Sequence, residues 1–258
     1  MLIPPKYRLT PRISELLSSI EASREVIESI SIPPEIERNI RRQSTLKSSL
    51  YSARIEGNTL ALDEIDNLPS ANKKKLEVLN ILKALNWIYT LKKKNITLSD
   101  ILILHKITMA KLIDIGNLGK FRKNMEAIFN SAGIAIYMPP PPRFVNNLMQ
   151  KLLRYAGSSR EKFVPIRACL SHYTFEKIHP FLDGSGRVGR LFIQQILSMN
   201  NYGMKGILPL EEYLDNHRSE YYRMLEEPEK DATDYLEFML EAIAETAERA
   251  KKIVLEKQ

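Results

Sequence analysis

The sequence has few of the features that mark secreted, membrane-spanning or metal-cluster proteins. Only one of its 258 residues, Cys169, is a cysteine, which excludes an internal disulfide and a thiolate metal cluster. Its longest apolar-looking windows, such as the one starting at Ile101, are interrupted by Lys and His well before the roughly 20 apolar residues that span a bilayer. Two prolines stand where a signal peptide would have its apolar stretch. We therefore expect a cytoplasmic protein without a membrane partner.

The positive charge of the chain does not indicate a nucleic-acid partner. The net charge is +7 and the pI is near 9.3, but the basic residues lie in short scattered runs such as 73–75 and 92–94. Such runs are typical of solvated helix faces, and no recognition-helix signature accompanies them. A polyanionic small ligand would be attracted by the same positive field.

The spacing of apolar residues predicts an all-α protein. They recur at intervals of three and four almost throughout, which is the helical period. No Gly/Ser-rich linker or internal repeat divides the chain. The predicted helices cover 11–30, 34–56, 72–94, 98–112, 143–156, 164–178, 186–200, 210–226 and 231–256.

One segment departs from the helical pattern. Two short β-prone runs, starting at Ala127, flank the sequence Asn-Ser-Ala-Gly and are followed by four prolines. This predicts a hairpin and then a stiff extended stretch. In a helical protein such a hairpin is either an ornament or an edge on which an extended peptide docks.

The stretch HPFLDGSGRVGR, residues 179–190, has the composition of a site rather than of a core. Pro180 disfavours helical geometry at His179 and cannot donate a backbone hydrogen bond, so His179 is expected at the end of a helix. The following residues, 183–186, predict a loop that leads into the N-terminus of a second helix. Backbone amides at such a position suit phosphate oxygens. Arg187 and Arg190 are expected on one face of its first turn.

These residue types are the parts of a phosphate site. Glycine amides and two arginines would bind an anion, Asp183 could hold Mg²⁺, and His179 could act as a base. A helix-loop-helix with an ion-paired surface remains the alternative. Residues 184–189 also match a dinucleotide fingerprint, but a helix rather than a strand precedes them, and a P-loop would need Lys and Ser/Thr at 190–191. Glu176 and His179 resemble half a di-iron site without a second half, so His172 and Glu176 are expected to be hydrogen-bond partners in the core.

The same residues resemble the signature of Fic-domain proteins, His-x-Phe-x-(Asp/Glu)-Gly-Asn-Gly-Arg-x-x-Arg. Every defining position matches except Ser185, where the family has asparagine. Further similarity lies in LHK at 104–106, GKFR at 119–122, the stretch from Tyr137, SHYTFEKIHPF from Ser171 and NHRSEYYRML from Asn216, and it extends over about residues 45–226.

The resemblance implies an all-α Fic core that binds ATP with Mg²⁺ and transfers AMP to a hydroxyl side chain of a target protein. By this resemblance His179 is the base, Asp183 holds the metal, and Phe181 anchors the loop. The residues implied in binding the nucleotide are Gly184, Ser185, Gly186, Arg187, Arg190, Asn216, Tyr221 and Tyr222. Of these, the resemblance implies that the amides of Gly184 and Gly186 bind the phosphates and that Arg187 and Arg190 pair with the β- and γ-phosphates. The last two tyrosines suit helix packing equally well. The hairpin at about 126–138 becomes a flap that aligns the target peptide.

Ser185 is the one departure from the signature. The family's asparagine is thought to contact the α-phosphate, and serine is shorter and offers one hydroxyl instead of an amide group. Losing one charge-assisted contact costs on the order of 1.5–3 kcal/mol of transition-state stabilisation, about tenfold to a hundredfold in rate. A slow enzyme, an altered nucleotide choice or a weakly active nucleotide-binding module would each be consistent with serine here.

A second motif lies upstream, at SARIEGN, residues 52–58. Gly57 predicts the end of the helix, which leaves Glu56 in its last turn, where the helix dipole disfavours a carboxylate. A solvated end residue is the ordinary interpretation. The stretch nevertheless resembles the inhibitory motif of Fic proteins, (Ser/Thr)-x-x-x-Glu-(Gly/Asn), in which Ser52 and Glu56 are the matching residues. The resemblance implies that Glu56 pairs with Arg190 and takes the place of the γ-phosphate.

These expectations describe one Fic domain over residues 1–258. It would comprise N-terminal helices to about residue 60, a core at about 61–226 and a C-terminal helix over 227–258. The resemblance implies an adenylyltransferase that uses ATP and Mg²⁺, with removal of AMP from a modified protein, or transfer of UMP or phosphate, as alternatives. The amphipathic C-terminal helix could cap the core or pair with a second copy as a homodimer.

Overall fold

The computed structural model describes residues 2–65, 67–69, 71–91, 93, 95–129, 135–226 and 231–257, with only the backbone of Phe129. The tip of the predicted flap, residues 130–134, lies outside the described residues. The start of the C-terminal segment predicted at 227–258, residues 227–230, lies outside them as well.

Helices follow one another along most of the described chain, as the apolar spacing predicts. They are α1 (Pro11–Ser29), α2 (Pro34–Ile55), α3 (Lys73–Thr90), α4 (Leu98–Thr108), α5 (Pro142–Ala156), α6 (Val164–Ile178), α7 (Ser185–Met199), α8 (Leu210–Asn216), α9 (Arg218–Glu226) and α10 (Thr233–Leu255), with a short 3₁₀ turn at Met204–Gly206. The all-α prediction is confirmed.

Three predicted helices differ from the observed ones by more than two residues at an end or by an internal break. The helix predicted over 210–226 is two helices, because the backbone at His217 (φ −113°, ψ 33°) interrupts it without a Pro or Gly to signal the break. The helix predicted to end at residue 94 ends at Thr90, where Leu91 is already extended. The helix predicted to end at residue 112 ends at Thr108, three residues before Lys111 takes a positive φ of 61°.

Polar caps fix the starts of several helices. Thr10, Asn72 and Thr97 each accept a hydrogen bond from a backbone N–H of the first turn of α1, α3 and α4. At α4 the cap is reciprocal, since the Asp100 carboxylate accepts from the Thr97 backbone N–H at 2.9 Å. Asp100 is also paired with Lys93, with Nζ and Oδ1 2.7 Å apart.

The centre of the molecule is formed by α6 and α7, which pack on each other. Every residue of α6 from Pro165 to Ile178 is buried, so this helix is enclosed on all sides rather than amphipathic. Gly189 makes the close approach to α7 feasible, because a Cβ there would lie 1.9 Å from Glu176 Oε1. The turn that joins α6 to α7 and the start of α7 carry the 179–190 stretch, so this closely packed pair of helices positions it.

The remaining helices enclose this pair. α10 packs along α1 and against α6, with its apolar face buried, so the C-terminal helix caps the core, one of the two roles left open for it. The predicted hairpin is present as β1 (Ile128–Phe129) and β2 (Ala135–Tyr137), which pair antiparallel with Ile128 opposite Tyr137. Among the described helices none combines the length and apolar character needed to cross a membrane.

The cap of α4 is expected to contribute measurably to stability. Replacing Asp100 by Ala removes the reciprocal cap and leaves Lys93 without its carboxylate, so the free energy of unfolding should fall by about 1–2 kcal/mol. Urea unfolding measures the change. Asp63→Ala, which removes an exposed carboxylate from a turn, is the control and should stay within about 0.5 kcal/mol of the parent. Equal effects of the two substitutions would contradict the role given to the cap.

Candidate active site

His179 occupies the C-cap of α6 in a left-handed conformation, with φ 45° and ψ 67°. Its backbone N–H still donates to the Phe175 carbonyl at 2.9 Å. A non-glycine residue with such a φ is held there only when its surroundings fix it. The proline that follows and the contacts of Arg122 supply that constraint, so His179 stands at the helix end, as predicted from Pro180.

Arg122 ties the His179 turn to the flap. Its side chain is almost fully buried and its Nε donates to the His179 carbonyl at 2.7 Å. Its Nη2 donates to the carbonyls of Ile178, at 3.3 Å, and of Pro140. A cation is favourable at the C-terminal end of a helix, where carbonyls lack helical partners. Sequence reasoning included Arg122 only in the GKFR similarity and assigned it no role.

Hydrogen bonds between its own residues stabilise the loop between α6 and α7. The Ser185 hydroxyl accepts from the Phe181 backbone N–H at 3.0 Å and donates to the Phe181 carbonyl at 3.2 Å. Gly184 has a φ of 85°, and a Cβ on it would lie 2.6 Å from Met109 Sδ. Ser185, Phe181 and Gly184 are all buried, so the Ser185 side chain faces inward and holds the loop.

His105, on α4, is a second support of this loop that sequence reasoning missed. Its Nδ1 accepts from the Gly119 backbone N–H at 2.8 Å, and its Nε2 lies 3.0 Å from the Asp183 carbonyl. Since Nδ1 accepts, Nε2 carries the proton and donates to that carbonyl. The imidazole stacks on Phe181 at a centroid distance of 3.9 Å, and its burial lowers its pKa below the usual value. The only available sequence signal was its position in the LHK similarity.

Arg190 is fully buried and is bound by residues at the C-terminal end of α2. Its Nε donates to the Ser52 hydroxyl at 3.0 Å, and its Nη2 donates to the Ser52 carbonyl at 3.0 Å and to Glu56 Oε1 at 2.8 Å. A Cβ on Gly186 would lie 2.6 Å from the same Glu56 oxygen. A side chain at position 186 would therefore displace Glu56 from Arg190.

The end of α2 is built to place Glu56. Gly57, with φ 94°, donates to the Arg54 carbonyl and Asn58 donates to the Ala53 carbonyl, at 2.9 and 3.1 Å. These two bonds form a Schellman motif, which explains why the predicted stop at Gly57 is correct. Tyr222 completes the end by donating its hydroxyl to the Ile55 carbonyl at 2.9 Å.

Arg187 pairs with different carboxylates from the one that binds Arg190. Its Nη1 lies 2.5 Å from Glu77 of α3, and its Nη2 lies 2.6 Å from Asp183. Asp183 is the more exposed of the two carboxylates, with 53% of its side chain accessible. The first two turns of α7 thus carry two guanidinium groups, each bound to at least one carboxylate.

A cavity of about 630 Å³ opens beside these groups. Its wall includes predicted site residues from both motifs, together with flap and α9 side chains: Glu56, Ile128, Ile136, Tyr137, Glu176, Lys177, His179, Gly186, Arg190, Arg218, Ser219, Tyr221, Tyr222, Leu225 and Glu226. Of the remaining predicted site residues, Asp183, Gly184, Ser185 and Arg187 lie in the adjoining loop and helix start. Asn216 is exposed at the end of α8 and is not part of this wall.

The two tyrosines predicted to border the nucleotide differ in their surroundings. Tyr221 is buried, and its hydroxyl is 2.8 Å from His172 Nε2. Tyr222 is 39% exposed. Both tyrosines line the cavity and also make packing contacts. The geometry is therefore consistent with a place in the nucleotide pocket and with a role in helix packing.

Burial and nearby charges together determine the pKa values of the groups around the cavity. It lowers the pKa of His179 below its ordinary 6.5, although the charge of Glu56 acts in the opposite direction. For Glu56, burial raises the pKa, but the charges of Arg190 and Arg187 outweigh that effect and lower it overall. Near pH 7 the site therefore holds a neutral imidazole and an ionised Glu56 that is bound to Arg190.

Deeper in the wall, burial raises the pKa of Glu176 to about 8 and lowers that of His172 to about 3. Both are therefore uncharged at neutral pH. His172 Nδ1 and Glu176 Oε1 lie 3.7 Å apart, which is too far for a hydrogen bond. The predicted direct bond between these two residues is not formed, and His172 bonds Tyr221 instead.

Asp183 fits a magnesium ion that is bound together with a nucleotide. Among the described residues no three His, Cys, Asp or Glu side chains group into a site that could hold a metal by themselves. Mg²⁺ commonly uses one or two carboxylates, with phosphates and waters supplying the rest. Asp183 is a half-exposed carboxylate beside Arg187 and could supply one such ligand.

The start of α7 is uncapped and offers further anion-binding groups. Gly184 is its N-cap residue and no side chain caps the helix, so backbone N–H groups of the first turn are available to a ligand. The site thus combines a neutral base, helix amides, two guanidinium groups, an exposed carboxylate and a cavity. This set can immobilise a polyphosphate beside a group that accepts a proton.

Comparison with known proteins agrees with the resemblance. Residues 95–197 match the Fic/DOC family model. Curated relatives named protein adenylyltransferase Fic are 28% identical in Drosophila erecta and 27% in Drosophila melanogaster over 243 residues, 89% of this chain. The chain spans about half the length of these relatives, 46% and 47%.

Solved structures show the same architecture. A Fic family protein from Desulfovibrio desulfuricans is 29% identical, with a TM-score of 0.83 over 98% of this chain and 78% of that one. Fic-1 from C. elegans is 20% identical, with a TM-score of 0.75 over 95% of this chain and 72% of that one, and it shows a shared fold. The predicted Fic fold with its small hairpin is confirmed.

Removing His105 is expected to loosen the loop it supports. His105→Ala leaves the Gly119 N–H and the Asp183 carbonyl without their partner and removes the stack on Phe181, so the free energy of unfolding should fall by about 2–4 kcal/mol. The control is His217→Ala, which removes an exposed imidazole stacked on Tyr213 and should cost less than about 1 kcal/mol. Urea unfolding compares the two, and equal losses would contradict the account.

Proposed function

We propose, from the match of residues 95–197 to the Fic/DOC family model, that the chain is a protein adenylyltransferase regulated by Glu56. The substrates are ATP and a hydroxyl side chain, Ser, Thr or Tyr, of a target protein or of the chain itself. The observation that carries the proposal is the meeting of His179, Arg190 and Glu56 in one cavity wall. The curated relatives are named for the same activity.

The reaction requires one proton transfer and one substitution at phosphorus. The target hydroxyl oxygen attacks the α-phosphorus of ATP, its proton passes to the His179 imidazole, and the bond from the α-phosphorus to the bridging oxygen breaks. Pyrophosphate leaves with that electron pair, and AMP remains on the target. The lowered pKa of His179 supports its role, because the base must be neutral to accept the proton.

The anion-binding groups would immobilise the triphosphate for in-line attack. The first-turn amides of α7 and the guanidinium groups of Arg187 and Arg190 supply positive charge where the phosphates would lie. Asp183 would hold Mg²⁺, which neutralises phosphate charge when bound. The target peptide would dock along the flap, whose strand β2 is anchored by a hydrogen bond from the Tyr137 hydroxyl to the Lys177 carbonyl, 2.8 Å.

Glu56 would inhibit by competition for Arg190. A carboxylate and a phosphate make the same charge-assisted contacts with a guanidinium group. Because Arg190 is buried and Glu56 Oε1 is 2.8 Å from its Nη2, a γ-phosphate must displace Glu56 to reach that nitrogen. ATP bound while Glu56 stays in place would take an unproductive pose.

A second function is favoured by the Ser185 contacts. The Ser185 hydroxyl is engaged with the Phe181 backbone on both its donor and acceptor sides, so this side chain would not stabilise the α-phosphate. A nucleotide-binding module of low transfer activity would have this property. Calorimetry with ATP and Mg²⁺, run beside labelled transfer, separates the two functions, because the module binds ATP in both the parent and the Glu56→Gly forms without turnover.

Removing Glu56 is expected to raise AMP transfer. Glu56→Gly frees Arg190 for phosphate and should increase labelled AMP on the protein itself by about tenfold or more. Glu56→Gln, which keeps the shape but not the charge, should give a smaller increase. Adding His179→Ala to Glu56→Gly should abolish transfer. If Glu56→Gly left incorporation flat while His179→Ala abolished it, inhibition by Glu56 would be wrong and the transferase would stand.

The pH dependence of the Glu56→Gly form should report His179. The base is competent above its pKa, which lies below 6.5 in the parent, and removing the Glu56 charge lowers it further. The apparent kcat/KM for ATP should therefore be constant between pH 7 and 8 and should fall only below pH 6.5. A steady-state profile from pH 5 to 8.5 measures this, and an acid limb with its midpoint above pH 7 would contradict the assignment.

A further inference from the structure

Glu77 is a largely shielded carboxylate outside both sequence motifs. It lies in the second turn of α3 and binds Nη1 of Arg187, whereas Asp183 of the loop binds Nη2. Only 14% of its side chain is exposed, and 9% of that of Arg187. A carboxylate with so little access to water needs hydrogen-bond donors for both of its oxygens.

Both oxygens of Glu77 have such donors. Oε1 is 2.5 Å from Arg187 Nη1, and Oε2 accepts from the Asn58 amide at 2.8 Å. The same Asn58 amide donates to the Lys74 carbonyl at 3.0 Å, and its oxygen accepts from the Leu60 N–H at 2.9 Å. Asn58 follows directly on Glu56 and Gly57, so the segment that places Glu56 also orients Glu77.

The two carboxylates on Arg187 are not equivalent. Asp183 is half exposed and belongs to the loop, whereas Glu77 is shielded and belongs to a helix. When Asp183 turns toward another cation, Glu77 remains as the fixed partner of Arg187. A guanidinium group has five N–H donors, and Glu77 occupies one of those on Nη1. Asp183 accepts from Nη2 in this structure, so that donor becomes free for an incoming anion when Asp183 turns away.

We propose that Glu77 is a positioning residue for ATP binding, which holds the Arg187 guanidinium at the start of α7 so that it contacts the β- and γ-phosphates. This inference rests on the proposed function. The role differs from that of Glu56. Glu56 occupies the Arg190 guanidinium that the phosphate needs, whereas Glu77 orients the Arg187 guanidinium through Nη1. Loss of Glu77 should therefore weaken the contact with phosphate, and loss of Glu56 should strengthen it.

The test compares ATP with AMP in the Glu56→Gly background. Glu77→Ala should weaken ATP binding by about tenfold, because one charge-assisted contact loses its alignment. AMP, which lacks the β- and γ-phosphates, should bind within about twofold of the Glu56→Gly parent. Isothermal titration calorimetry at fixed Mg²⁺ and salt measures both affinities. A general loss of structure would weaken both nucleotides alike, so the ratio of the two affinities is the informative quantity.

Two further variants make the result decisive. Glu241→Ala removes a carboxylate from the exposed pair with Arg12, 3.0 Å, and should change neither affinity. Glu77→Asp keeps the charge but withdraws it by one methylene, and should weaken ATP binding alone by about threefold, even if Glu77→Ala does not fold. Equal losses for ATP and AMP, or tighter ATP binding, would overturn the role of Glu77. No ATP binding by the Glu56→Gly parent would overturn the proposed function as well.

Discussion

The site depends on the burial of one guanidinium group. Arg190 is 1% exposed and has the largest side chain among the fully buried residues of the described chain. A cation in such a position needs an anion and hydrogen-bond acceptors within reach, because burial removes its hydration. Glu56 and Ser52 supply these in the present structure, and a terminal phosphate is the chemically equivalent replacement. The proposed competition between carboxylate and nucleotide follows from this requirement.

The groups that would perform the chemistry are held by residues that do not touch a reacting atom. Arg122 fixes the left-handed turn at His179, His105 fixes the loop through the Asp183 carbonyl, and Gly189 allows α6 and α7 to pack closely. The contacts of Arg122 and His105 join elements distant in sequence. The precision of the turn thus derives from the enclosed helix pair and its neighbours, and the short stretch 179–190 alone would not define it.

Much of the fold could be predicted from the sequence because its signals are local. Apolar spacing predicted the helices, and Pro180 predicted the end of α6. Gly57 predicted the end of α2, because glycine readily adopts the positive φ that ends a helix. The break at His217 had no local signal, since no Pro or Gly marks it. The positions of His179, Glu56 and Arg190 in one wall were predicted through the resemblance, because two motifs over 120 residues apart cannot be related by periodicity.

Other parts of the site required the structure. His105, Arg122 and Glu77 act through long-range contacts, and single residues with such roles carry no pattern of their own. The predicted bond between His172 and Glu176 is wrong because the tertiary packing leaves His172 Nδ1 and Glu176 Oε1 3.7 Å apart, while the Tyr221 hydroxyl lies 2.8 Å from Nε2. The inward direction of the Ser185 hydroxyl likewise follows from the tertiary position of Phe181, which local sequence rules do not specify.

The most direct measurement is a crystal structure of the Glu56→Gly protein with Mg²⁺ and a non-hydrolysable ATP analogue. The account predicts the terminal phosphate within hydrogen-bond distance of the Arg190 guanidinium, where Glu56 Oε1 now lies, and the α-phosphorus in reach of a hydroxyl that His179 can deprotonate. Triphosphate density in another cavity, or an Arg190 side chain that makes no contact with phosphate, would contradict it.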